Sequence, residues 1–293
     1  MNFKLPLYII CLLLFFQTFS SLGQTFSGLV IDKETLLPLP YASLGVKGKS
    51  IGGIADRTGQ FYINVSQANK GDSIIISNIG YESIAFLLKD LSLNKTNEIR
   101  LQPKVKELEE VIVVAKQDLL VLGNSKYSSD FTGWGDYISS RGRSRGLQIQ
   151  SKDFPIKITE FDVRLKDNDF DSVKLRLHIY NHSPNVESDD ELLPESVFFT
   201  AVKNQHWVDV NLEKYNIFMT APLYVTVEWV DSWTSPKSSK GSYLLTFSTG
   251  KKEGYSCYRD TPKESYYNKF LQNISDNVLE RIQSKKRFNR ALI

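Results

Sequence analysis

The residues of this chain with the means to do chemistry are three histidines, one run of acidic side chains, an arginine triplet and two tryptophans. His178, His182 and His206 are the histidines. A zinc peptidase site needs a His-x-x-Glu pair and a distant third ligand, and none of the three has Glu three residues later. His178 and His182 are four apart, a spacing that suits one metal ion on a helix. The stretch Lys174 to Tyr180 instead alternates as a strand, and four strand residues span about 13 Å, too far for one ion. On that strand His178 falls on the outward face and is expected to be solvated. Asp167-Asn168-Asp169-Phe170-Asp171 begins like a calcium loop, but Ser172 and His178 stand where Gly and Glu are required. It reads as an acidic hairpin turn, with weak calcium binding in another geometry as the alternative. Glu187 to Glu191 reads as a solvated loop. There is no Gly-x-Ser-x-Gly elbow, no phosphate loop and no Ser/His/Asp order. The expectation is therefore no enzyme, no cofactor and no metal, although 33 acidic residues leave room for a carboxylate-only glycosidase.

What remains is binding chemistry. Trp207 lies on the opposite face from Val208 and Val210, so it either covers another element or offers a stacking platform to a ligand such as a sugar ring. Trp233 sits in a loop beyond the strand carrying Trp229, which itself belongs to the core. Arg141, Arg143 and Arg145 alternate with Gly142 and Ser144; in an extended chain their guanidinium groups share a face able to meet phosphate or an anionic glycan, or they form a solvated loop. Arg281, Lys285, Lys286, Arg287 and Arg290 make a basic C-terminal patch, explained by a helix dipole or by peripheral contact with anionic lipid.

These groups must be positioned by strands. Phe26 to Asp32, Tyr41 to Val46, Phe61 to Val65, Ser73 to Ile79, Ser83 to Leu88 and Glu98 to Leu101 are apolar or alternating runs separated by turn residues. Leu37-Pro38-Leu39-Pro40 is a connection that no helix tolerates. Gly48, Gly52 and Gly53 mark a loop. Asp56-Arg57-Thr58-Gly59 reads as a tight turn, with Asp56 accepting backbone N–H groups and Gly59 at positive φ; Gly80 marks another break. About seven short strands between 24 and 103 predict a small β-sandwich. Leu108 to Ala115 is a continuous apolar run in a linker, 104–126. From 127 to 250 Phe161, Val163 and Leu165 alternate, as do Leu175, Leu177 and Ile179, then Val225, Val227 and Trp229, predicting a second, jelly-roll-like sandwich. In 251–293 Phe270, Ile274, Val278 and Ile282 recur at spacing four, predicting an amphipathic helix docked on that sandwich.

The ordered string Gly28-x-Val30-x-Asp32, Pro38-Leu39-Pro40-x-Ala42, Asp56-x-x-Gly59-x-Phe61 and Ile79-Gly80-Tyr81 resembles the carboxypeptidase-regulatory-like domain over about residues 25–102. The resemblance implies a transthyretin-like β-sandwich of the kind abundant in exported proteins of Bacteroidetes-type bacteria. It implies no catalysis, because in carboxypeptidases this module accompanies the zinc peptidase domain. Asp56, Gly59 and Gly80 are then structural turn residues. Ala55 departs from the Thr usual before that Asp. The segment Leu108 to Ala115 resembles the one that joins such a module to the plug of TonB-dependent receptors, captured by strand addition; the remaining chain is too short for a plug and barrel. The region from 127 also resembles β-domains found downstream of this module in uncharacterised bacterial surface proteins.

The N-terminus reads as a signal peptide over 1–23. Lys4 precedes the apolar run Leu5 to Phe16, which is shorter than the roughly 20 residues a membrane span requires, and Ser21-Leu22-Gly23 supplies small residues for cleavage. Export leaves Cys257 without a disulfide partner in the same chain. A formal charge of +3 argues against nucleic acid as partner. No transmembrane segment is expected after cleavage. The expectation is a non-enzymatic protein of the periplasm, outer-membrane surface or medium that binds a glycan, polymer or envelope protein. An accessory to TonB-linked transport and a cryptic hydrolase are the alternatives.

Overall fold

The computed structural model describes residues 24–104, 117–123, 127–134, 141–152, 154–181, 191–234, 245–250, 254–259, 267–271 and 280–287. The Leu108 to Ala115 segment and the N-terminal 23 residues lie outside them. Seven strands build the first unit: β1 (Thr25–Asp32), β2 (Ser43–Val46), β3 (Gly52–Ile54), β4 (Gln60–Asn64), β5 (Ser73–Ser77), β6 (Ile84–Leu87) and β7 (Thr96–Leu101). One sheet runs β4-β1-β7 and the other β3-β2-β5-β6. β1 pairs antiparallel with β4 and parallel with β7. Alternation along β4 buries Phe61 and Ile63 and exposes Gln60, Tyr62 and Asn64. Those two side chains meet Phe26, Val30, Leu44, Ile74, Ile76 and Ile99 in one core. Gly52–Ile54, expected as a loop, is a strand, because Gly52, Gly53 and Ile54 pair antiparallel with Gly45, Leu44 and Ser43 of β2.

Thirteen further strands follow among the described residues: β8 (Gln117–Gly123), β9 (Tyr127–Trp134), β10 (Ser144–Ile149), β11 (Ile156–Asn168), β12 (Ser172–Tyr180), β13 (Val197–Val202), β14 (Trp207–Asn211), β15 (Phe218–Met219), β16 (Leu223–Trp233), β17 (Leu245–Gly250), β18 (Gly254–Arg259), β19 (Tyr267–Leu271) and β20 (Glu280–Arg287). They form a six-stranded sheet, β13-β12-β16-β10-β18-β19, and a second sheet, β8-β20-β11-β17-β9, on which β14 and β15 also pair with β11. The alternating residues predicted to point inward do so. Phe161, Val163 and Leu165 from one sheet pack against Leu175, Leu177, Ile179, Val225, Val227 and Trp229 from the other. The protein is mainly β, with the only helical turns among the described residues at Leu88–Asp90 and Glu213–Tyr215. No helix among these residues is long and apolar enough to cross a membrane.

The expected C-terminal amphipathic helix lies partly outside the described residues, Ile274 and Val278 among them, and the described parts of that stretch are strands. Phe270 lies on strand β19 and Ile282 on strand β20, and these strands complete different sheets: β19 pairs with β18, while β20 lies between β8 and β11. A spacing of four is also an even number, so it keeps one face of an extended strand as readily as one face of a helix. Unsatisfied sheet edges then favour the extended form.

Acid should weaken the first sandwich. Asp32 is held below its ordinary value of 3.8, first by the Thr35 N–H and then by the Tyr81 hydroxyl, and Asp72 by Lys49. Burial pushes Asp56 up, but the Thr58 and Gln60 donors outweigh it and its carboxyl also stays low. A carboxylate with a lowered folded-state pKa contributes stability above its unfolded value. That contribution is lost as pH falls through the folded value. Thermal melts at pH 3 should therefore lie below those at pH 6, and Asp32→Asn should narrow the gap. An unchanged gap would refute the assignment for Asp32.

Candidate functional site

The polar residues that come together lie on the outer face of the six-stranded sheet. Along β12, Lys174, Arg176, His178 and Tyr180 alternate with the core residues Val173, Leu175, Leu177 and Ile179. Register places Arg176 opposite Glu228 and His178 opposite Thr226 of β16. Arg176 Nε donates to Glu228 Oε2 at 2.8 Å, and His178 Nε2 lies 3.0 Å from the same oxygen. His178 Nδ1 lies 2.7 Å from Glu191 Oε2 and 3.0 Å from the Tyr180 hydroxyl. Glu191 Oε1 accepts the Ile179 N–H at 2.9 Å. Arg176, His178 and Glu228 are 1%, 5% and 0% exposed.

This corrects the expectation of a solvated His178 and of a solvated acidic loop at Glu191. The alternating pattern identified the outward face correctly, but that face is covered. Part of the cover is the first sandwich. Arg176 Nη1 donates to the Tyr41 carbonyl and Nη2 to Ser43 Oγ, both at 2.9 Å. The Tyr41 hydroxyl donates to Asp231 at 3.2 Å. Burial, with Asp231 next, pushes the Tyr41 phenol up to about 12. The Tyr41 ring meets that of Phe198 edge-on at 5.3 Å. Tyr41 itself has φ +58, so a strained backbone is retained where the two units meet.

A second contact lies at the Ile79-Gly80-Tyr81 turn. Ile79 packs against the core of the second unit, and Ser196 Oγ donates to Asn78 Oδ1 at 3.1 Å. Gly80 has φ +87, and a Cβ there would come within 2.7 Å of the Pro194 carbonyl oxygen. Asp56 accepts from the Thr58 and Gln60 N–H groups at 2.8 and 3.0 Å, and Gly59 has φ +77, the geometry of the expected turn.

The five residues expected to contact ligand do not all converge. Trp207 is half-buried on β14, opposite Arg164 in the other sheet. Trp233 is exposed at the end of β16, opposite Ser172. Arg141 lies at the same end, Nε donating to the Val230 carbonyl at 3.0 Å. Arg143 and Arg145 flank Ser144, and the Arg145 guanidinium lies over the Trp134 ring at 5.7 Å. Arg141 is set off from the other two by a turn at Gly142, φ +83. The expected acidic hairpin at Asp167 to Asp171 is corrected: the short turn after Asn168 joins β11 to β12, but the two strands lie in different sheets and do not pair, so it is a connection between sheets.

Sequence reasoning missed Glu228, Arg176 and Glu191. The available signal was four consecutive outward positions on β12 bearing Lys, Arg, His and Tyr, which an ordinary solvated strand face shares. It also missed Glu160, Asp162 and Asp209, whose carboxylates lie within 4.8 Å of one another. That distance would allow a shared hard cation. Register sets Arg281 of β20 opposite Asp162.

Residues 26–113 match the family model described as the CarboxypepD_reg-like domain, which covers the first sandwich and bears out the resemblance carried by the Gly28 to Tyr81 motifs. No curated protein matches the chain.

Proposed function

We propose that this chain is a non-enzymatic exported protein of the cell envelope whose second β-domain binds a glycan, polymer or protein partner. The regulatory-like sandwich serves as a fixed platform for that domain. The observation carrying this reading is the engagement of His178. Both ring nitrogens face carboxylate oxygens at 2.7 and 3.0 Å, leaving none to serve as general base toward a substrate. The neighbouring Arg176 is turned to the first sandwich through Tyr41 and Ser43. Charged groups in this account hold the two units together, and binding falls to the remaining surface.

Purified protein, incubated with an array of glycans and cell-envelope fractions, should retain a saturable ligand and release no product from it. Retention of nothing across the array would refute the binding reading.

The cryptic hydrolase is the second reading, and the Glu160, Asp162 and Asp209 carboxylates favour it. Single oxygens of the three lie within 4.8 Å of one another, closer than the gap inverting glycosidases keep for a water. Binding is therefore preferred. Product release from any array member that Asp162→Asn abolishes would reverse the preference.

A further inference from the structure

The second sandwich holds buried donors that have no acceptor among the described residues. Trp134 Nε1, Arg143 Nε and Arg141 Nη2 are each buried with no hydrogen-bond partner among the described residues. Trp134 is only 3% exposed. Leaving a buried N–H without an acceptor costs the full desolvation of that group, and more where the group is charged, as in a guanidinium.

Trp134 and Arg143 both flank Trp229. The Trp134 and Trp229 rings are 5.6 Å apart. Arg143 continues the β10–β16 ladder by one position, its carbonyl accepting the Trp229 N–H at 3.1 Å, and the Gly142 N–H donates to the Trp229 carbonyl at 2.8 Å. Arg143 and Arg145 alternate with Ser144, so both fall on the face bearing Leu147 and Ile149, whose side chains are buried in the core. The Arg145 guanidinium over Trp134 adds positive charge to that side. Arg141, at the rim, also acts electrostatically on Tyr41 and Asp56 across the junction.

We propose that the Trp229 end of the second sandwich binds an oxyanion, the carboxylate, sulfate or phosphate group of an acidic ligand, through Trp134 and Arg143 with Arg141 and Arg145 around them. An oxyanion supplies several acceptor lone pairs and a negative charge to the Trp134 and Arg143 donors. The inference rests on the binding reading above and adds the chemical class of the ligand.

The test uses the whole chain with sodium sulfate, sodium phosphate, glucuronate and, as neutral control, glucose, at constant ionic strength. Calorimetric titration and thermal shift provide the readouts. Anions should bind and raise the melting temperature, and glucose should do neither. Sulfate and phosphate acting alone identify the group itself as the ligand; glucuronate alone identifies a carboxylated sugar. Arg143→Met and Trp134→Phe should each weaken anion binding about tenfold or more, as expected for a lost hydrogen bond to a charged group. Without anion, Arg143→Met should not melt lower than the parent, because it removes a donor with no acceptor among the described residues, whereas Trp134→Phe also vacates core volume and is read only through its anion response. Arg143→Met melting well below the parent without anion would overturn the proposal, as would anion binding that both variants leave intact. If the glycan and envelope array yields a ligand but no anion binds, this inference alone falls. If the array and the anions are all silent, the binding reading falls with it.

Discussion

Arg176→Met should lower stability by about 3–5 kcal/mol and loosen the first sandwich from the second. Removing one partner of a buried pair leaves the other charge in the interior, and the cost is of that order. Here the partner left behind is Glu228, which is 0% exposed. The guanidinium also carries both bonds to Tyr41 and Ser43, so the same substitution strips the junction of its charge-assisted contacts. Methionine keeps most of the side chain's length and apolar volume, which separates the lost charge from a packing defect. Urea unfolding gives the stability change. Limited proteolysis should show new cleavage near the junction. A loss under about 1 kcal/mol would place Arg176 among the weak ion pairs typical of exposed surfaces.

The second large effect is expected at Gly80. Alanine there meets two penalties, the positive φ of +87 and the approach to the Pro194 oxygen. A non-glycine residue held in the left-handed region costs about 1–3 kcal/mol, and forcing extra atoms into a packed contact adds about 1–3. The sum should reach about 2–6 kcal/mol. Gly48 provides the control. Its φ is +69, but a Cβ there meets nothing within 4 Å, so Gly48→Ala carries the backbone penalty without the contact. The difference between the two substitutions, read from chemical denaturation, measures the junction. Equal losses would mean that the Pro194 contact contributes nothing to stability.

Much of the fold was legible because alternation is a direct record of which side of a strand is dry. Leu175, Leu177 and Ile179 could point nowhere but inward, and the glycine and proline punctuation of the first sandwich announced its turns. Alternation does not record what lies on the other side. His178 and Arg176 sit on an outward face that another unit covers, and only the three-dimensional arrangement reveals that Tyr41, more than 130 positions earlier, supplies the carbonyl for Arg176. At the two described ends of the Phe270 to Ile282 pattern, strands pair with distant partners, and the local spacing of four is compatible with both periods. Ligand contacts were the least legible. The arginine triplet drew notice as a charge pattern, but Trp134, buried and apolar in appearance, gave no sign that its indole N–H would have no acceptor among the described residues.

Differential scanning calorimetry of the intact chain tests the central claim most directly, namely that the charged groups of the second sandwich serve to join two units into one. One cooperative transition, with calorimetric and van't Hoff enthalpies in agreement, is the predicted result. Two separate transitions, already present before any substitution at Arg176 or Gly80, would contradict it.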